Sequence, residues 1–140
     1  MNTIQQQLVY LCKQFKVDFF YAFGSRAVEV KASVENNVPL DEFMKSDLDI
    51  GVKTRPDVRL SLDDKVQLTQ ALEDIFDISR VDLIDLKQAD PFLALDIVKG
   101  ELLYSRDDDV QAEYELFILR RAGDLAYYAR GRWNQILGIE

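Results

Sequence analysis

Residues 19–30 read FFYAFGSRAVEV, and residues 45–52 read KSDLDIGV. The first stretch closes an apolar, aromatic run, VDFFYAF (17–23), whose composition predicts a buried strand. It stops abruptly at Gly24-Ser25-Arg26, and SRAVEVKA can begin a helix. A strand that ends in Gly-Ser at a helix start presents unpaired backbone N–H groups. Glycine lets an anion approach the chain closely, the helix terminus favours negative charge, and a serine hydroxyl adds a donor. Arg26 can neutralise phosphate charge or pair with an acid. On its own, Gly-Ser is an ordinary turn, so its weight depends on what stands near it.

The second stretch supplies that neighbour. DLDIGVK (47–53) predicts another strand, ended by Pro56. Side chains at i and i+2 share a face, so Asp47 and Asp49 point one way and Leu48 and Ile50 the other, into the core. Two carboxylates side by side repel each other, and hard oxygen ligands on one face suit Mg²⁺. The plainer alternative is a solvent-facing strand edge with two harmless acids. A third strand, RVDLIDL (80–86), puts Asp82 on a face with Ile84 and Leu86, and Asp85 on the other with Val81 and Leu83. A carboxylate on such an apolar face is costly unless paired or metal-bound. If this strand lies beside 47–53, Asp82 joins Asp47 and Asp49. Asp85 stays open as an alternative third ligand or as a solvated or capping residue, and an ion pair with Arg80 or a lysine stays open for Asp82.

The rest of the pattern supplies the frame. Ile4, Leu8, Leu11, Cys12 and Phe15 recur at helical spacing over 2–15. Residues 33–46 read as loop. A helix over 61–76 starts at a Ser61 cap, with Leu62, Val66, Thr69, Leu72 and Phe76 on one face. Asp90 caps a helix with Pro91 at its first position and Gly100 as its stop. Residues 101–105 suit a short edge strand, and 108–133 a last helix. The expectation is one α+β (α/β-like) domain over 1–140, a small mixed sheet covered by helices.

Composition excludes several classes. The 140 residues carry 25 acids and 17 bases, net charge −8, which argues against direct sequence-independent nucleic-acid binding. There is no histidine, which removes Ser-His-Asp and Cys-His catalysis and every His-ligated metal site. Cys12 is the single cysteine, so no intrachain disulfide forms. The N-terminal stretch is polar and helical rather than a signal peptide, and no run reaches the roughly 18 apolar residues of a membrane span. A cytoplasmic protein is expected.

FGSRA, then SDLDIGV, then VDLIDL resembles the nucleotidyltransferase superfamily with the DNA polymerase β-like fold. The ending VDLIDLKQADPFLALDIVKGELLYS is similar to the minimal nucleotidyltransferases of the MntA type, antitoxins encoded beside HEPN-domain RNase toxins of the HepT type. The resemblance covers roughly residues 17–105. It implies transfer of AMP from ATP to a tyrosine of the toxin. It implies Mg²⁺ held by Asp47, Asp49 and Asp82, with nucleotide phosphates at Gly24, Ser25 and Arg26. The chain departs from the pattern in two places. Twenty-one residues separate Ser25 from Asp47, longer than is usual, and GSRAVEV lacks the glycine that often follows.

Three other readings compete. An antitoxin can mask its toxin by binding alone. A metal-dependent glycosyltransferase also uses Asp-x-Asp, though Gly-Ser has no role there and the chain is short for it. A nucleotidyltransferase can act on a small-molecule hydroxyl, usually with an extra substrate domain. Near the C-terminus, Tyr114, Phe117, Ile118, Leu125, Tyr128 and Trp133 either pack on the sheet or form an interface.

Overall fold

The computed structural model describes residues 2–41 and 46–138, leaving aside the side chain of Trp133. The expected contact of Trp133 and part of the expected 33–46 loop therefore lie outside the described residues. The elements are α1 (Ile4–Gln14), β1 (Val17–Phe23), α2 (Ala27–Asn36), β2 (Leu48–Thr54), α3 (Leu62–Phe76), β3 (Val81–Asp85), α4 (Pro91–Val98), β4 (Glu101–Ser105) and α5 (Asp108–Leu137). The four strands form one sheet in the order β3-β2-β1-β4. β1 runs antiparallel to β2 and β4, and β2 runs parallel to β3. The sheet is thus mixed and the class α+β, as expected.

The two sheet faces follow from strand alternation. Phe20, Ala22, Leu48, Ile50 and Val52 face α1, α2 and α3, whose Leu8, Cys12, Val30, Val34, Leu68, Leu72 and Phe76 complete one core. Phe19 and Tyr21 face the other way, onto Ala94, Ile97 and Val98 of α4 and Ile118 of α5. Burying such a side chain contributes roughly 1.5–3 kcal/mol, so this alternation locks the register. Gly51 lies where a Cβ would sit 2.4 Å from Ile97 Cγ2, so α4 rests directly on β2. No described helix is long and apolar enough to cross a membrane.

Three expectations need correction. Residues 33–36 continue α2 rather than opening a loop, because Val34 is buried and the Ser33 hydroxyl donates to the Val38 carbonyl at 2.6 Å. The buried stripe of α3 is Leu68, Leu72 and Phe76, whereas Leu62 and Val66 are exposed. The helix docks only from its second turn onward. α5 runs past the expected end, to Leu137, and beyond Ala122 it has no buried residue among those described.

Candidate active site

β2 enters the sheet at Leu48, so Asp49 falls on the α4 face with Gly51, and Asp47 stands just before the strand. In the parallel pairing Asp49 lies directly opposite Asp82 of β3. In the antiparallel pairing it lies opposite Phe23, the last residue of β1. Here, at the end of the face that α4 leaves uncovered, two carboxylates stand side by side at the mouth of the Gly24 turn. Asp82 is exposed, so the expectation that it sits in a strand core is corrected: β3 is an edge strand and its start lies open to solvent. Arg80 pairs with Asp47 at 3.6 Å, not with Asp82. Asp85 lies three register steps along and, by alternation, on the opposite face. It is buried and accepts the Lys87 N–H at 3.0 Å, so it caps the strand end and is neither solvated nor a neighbour of Asp49.

Burial holds the Asp49 carboxyl above its ordinary range, and the like charges of Asp82 and Asp47 push it further. A cation would relieve both costs. Among the described residues no three acidic or cysteine side chains are already gathered into a cage. The donor set nonetheless fits Mg²⁺, which takes one or two carboxylates together with substrate phosphate oxygens. Asp49 and Asp82 are paired for that, and Asp47, which pairs with Arg80, adds its charge to Asp49.

The turn is built against the same acid. Gly24 has φ +77°, a left-handed conformation, and a Cβ there would sit 2.2 Å from Asp49 Oδ2. Both conditions demand glycine. Ser25 is exposed, and α2 starts at Arg26 with no side-chain hydrogen bond capping it. A strand end, a left-handed glycine, an uncapped helix and paired carboxylates thus meet in one place.

The family model for polymerase beta nucleotidyltransferases matches residues 5–109. The chain belongs to that family. No curated protein sequence matches it. Among solved structures, a toxin–antitoxin complex with AMP-PNP aligns at TM-score 0.68 and 20% identity, over 95% of this chain and 98% of the other. A crystal structure of the toxin–antitoxin pair MntA–HepT aligns at 0.65 and 19%, over 96% and 97%. A tri-AMPylated HEPN toxin of Shewanella oneidensis in complex with its MNT antitoxin aligns at 0.65 and 19%, over 96% of each chain. At these identities the likeness is one of fold.

In this nucleotidyltransferase-family chain Arg26 takes the second of the two roles its sequence allowed. Its side chain is 1% exposed and forms a two-bond pair with Glu29, at 3.1 and 2.8 Å. The same guanidinium donates to the carbonyls of Asp41 and Ser46 at 3.0 and 3.1 Å. The pair holds Glu29 below the ordinary carboxylate range. Arg26 therefore ties the residue after Ser25 to the residue before Asp47, bracketing the long connection. The sequence signal for this was Glu29 at i+3 on the same helix.

A cavity of about 690 Å³ adjoins Asp47, walled by Asp41, Glu73, Asp77, Ile78 and Arg80. Gly24, Ser25, Asp49 and Asp82 do not line it, so it approaches the acids from the Asp47 side. It pairs the end of α3 with the connection before β2, a contact that no local pattern announces.

Proposed function

We propose that this chain is an MntA-type antitoxin that transfers AMP from ATP to a tyrosine hydroxyl of a HEPN-type RNase toxin, silencing it. The observation that carries the reading is the register pairing of Asp49 with Asp82 beside the uncapped start of α2. The likeness to toxin–antitoxin complexes, one holding AMP-PNP and one an AMPylated HEPN toxin, supports it.

In this reading the triphosphate lies along the Gly24-Ser25 turn, where the backbone N–H groups and the Ser25 hydroxyl bind the phosphates. The tyrosine oxygen attacks the α-phosphorus while the bond from that phosphorus to the bridging oxygen breaks, and pyrophosphate leaves. Asp82, exposed and beside Asp49, accepts the tyrosine proton. Mg²⁺ bound by Asp47, Asp49 and Asp82 would supply charge neutralisation at the attacking and leaving oxygens. Most of the catalytic effect is positioning and charge stabilisation. An adenylate near an RNase site blocks RNA sterically and repels its phosphates. Segment 26–46 and α5 are the proposed docking elements for the toxin.

The test is intact and peptide mass spectrometry of the toxin, co-expressed with the wild-type chain or with Asp47→Asn/Asp49→Asn. Added AMP on tyrosine, with the wild type alone, is expected. The exposed second half of α5 favours one rival, masking by binding alone. Neutralisation that persists in the double variant without any added mass would replace transfer with masking.

A further inference from the structure

A second cavity, of about 190 Å³, lies on the same sheet face as the acids but across α4 from them. Asp49, Gly51 and Lys53 share that face of β2, and Ile97 sits on Gly51 between the other two. Four residues of strand, about 13 Å, separate Asp49 from Lys53. The lining includes three cations, Lys53, Lys87 and Arg121, and two rings, Tyr114 and Phe117. In a chain of net charge −8 this local excess is unusual.

None of these three cations has a carboxylate ion-pair partner among the described residues. Lys53 is half-buried and forms no ion pair among the described residues; its one hydrogen bond, to the Thr54 carbonyl, is 3.5 Å long. Its ammonium instead lies 5.5 Å from the Phe19 ring centre and 5.3 Å from that of Tyr114. Arg121 stacks over Phe117 at 5.5 Å and likewise has no carboxylate partner among the described residues. The Tyr114 hydroxyl has no hydrogen-bond partner there either. Lys87 donates to the Arg55 and Val58 carbonyls at 2.5 and 2.6 Å, adding charge to the cavity while it holds the loop after β2. Burial lowers the Lys53 pKa, Asp18 opposes this, and Lys87 and Arg106 lower it further. Ring contacts stabilise such a cation by about 0.5–2 kcal/mol, and Lys87 adds like charge beside Lys53.

We propose that this cavity is a binding site for a small oxyanion of phosphate size, held by Lys53, Arg121 and the Tyr114 hydroxyl and separate from the acid site. Ionised acceptors are the strong partners for such donors. The small volume suits phosphate or a short dicarboxylate. The ligand would join β2 to α5 at the point where that helix leaves the domain.

The experiment is a two-dimensional NMR titration of the whole chain with inorganic phosphate, and separately with succinate, without nucleotide or Mg²⁺. Residues 24–27 report the phosphate turn, and residues 53, 114, 117 and 121 report this cavity, so the two sites are read apart. Saturable shifts at the second group are expected with either probe, and the stronger probe identifies the preferred anion. Lys53→Met should weaken them about tenfold, and Arg121→Gln several-fold, while shifts at 24–27 persist. The spectrum of each variant also shows that it is folded. Shifts confined to residues 24–27 would overturn the site, as would saturation unchanged in both variants.

Discussion

Four helices of this domain follow a strand, and two of them, α4 and α2, begin in opposite ways. At α4, Asp90 accepts the N–H groups of Phe92 and Leu93 at 2.9 and 3.0 Å, and Pro91 fills the first helical position. That terminus is closed. At α2, Gly24 turns the chain through a left-handed conformation and Arg26 offers no side-chain cap. Thr3, Ser61 and Asp107 cap α1, α3 and α5 in the same manner as Asp90. A missing cap typically costs about 1 kcal/mol. The domain carries that cost beside Asp49 and Asp82, where a phosphate group would supply the absent acceptor. Fold stability governs one kind of helix start, and in the proposed function ligand binding governs the other.

The largest expected effect comes from the acids that face the open terminus. Asp47→Asn/Asp49→Asn should lower AMP transfer by at least about a thousandfold while leaving the fold intact. Full transfer by that variant, measured by mass, would end the enzymatic reading. Next comes the turn. Gly24→Val meets both the strain of a positive φ, roughly 1–2 kcal/mol, and overlap with the Asp49 carboxylate. Calorimetry should show ATP binding weakened more than about tenfold, and Ser25→Ala should weaken it by several-fold at most. Unchanged affinity in Gly24→Val would make Gly24-Ser25 only a turn.

Asp90→Ala sharpens the contrast from the closed side. It should lower stability by about 1 kcal/mol, read as a melting point a few degrees lower, and leave transfer unchanged. Lost transfer at an unchanged melting point would mean that the two helix starts do not divide their roles in this way. The smallest effect is in Asp49→Asn alone. The folded state holds the Asp49 pKa above its ordinary value, so as pH rises the native chain keeps a proton that the unfolded chain has released. Wild-type stability therefore falls as pH rises through that window. The variant should melt a few degrees higher at neutral pH, and its advantage should vanish below about pH 4. A constant difference across pH would remove the repulsion argument.

Much of this was legible along the chain because it rests on local chemistry. Ser61 and Asp90 sit where short-range rules put helix caps, and VDFFYAF, DLDIGVK and RVDLIDL have strand composition. Alternation alone assigned Leu48 and Ile50 to the core and Asp49 to the opposite face. The extension of α2 through Asn36 was missed because residues 33–46 are polar and hold an Asn pair and a proline, while the burial of Val34 that sustains the helix is a long-range contact. The same holds for α3, where Leu62 and Val66 have the right spacing but no surface to pack on.

Sequence by itself determined that Gly24-Ser25 breaks a strand into a helix, that Asp47 and Asp49 precede one sheet face, and that no histidine takes part in the chemistry. Only the tertiary structure decided which further acid joins them. The parallel register of β2 on β3 sets Asp82, not Asp85, opposite Asp49, and a shift of one residue would have turned Asp82 to the other face. It also decided that Arg26 binds Glu29 and two carbonyls of a distant segment, and that half of α5 stays uncovered. Caps and strand composition are set by neighbours a few residues away. Register, burial and the partner of a long side chain are set by groups tens of residues distant, which meet only when the sheet closes.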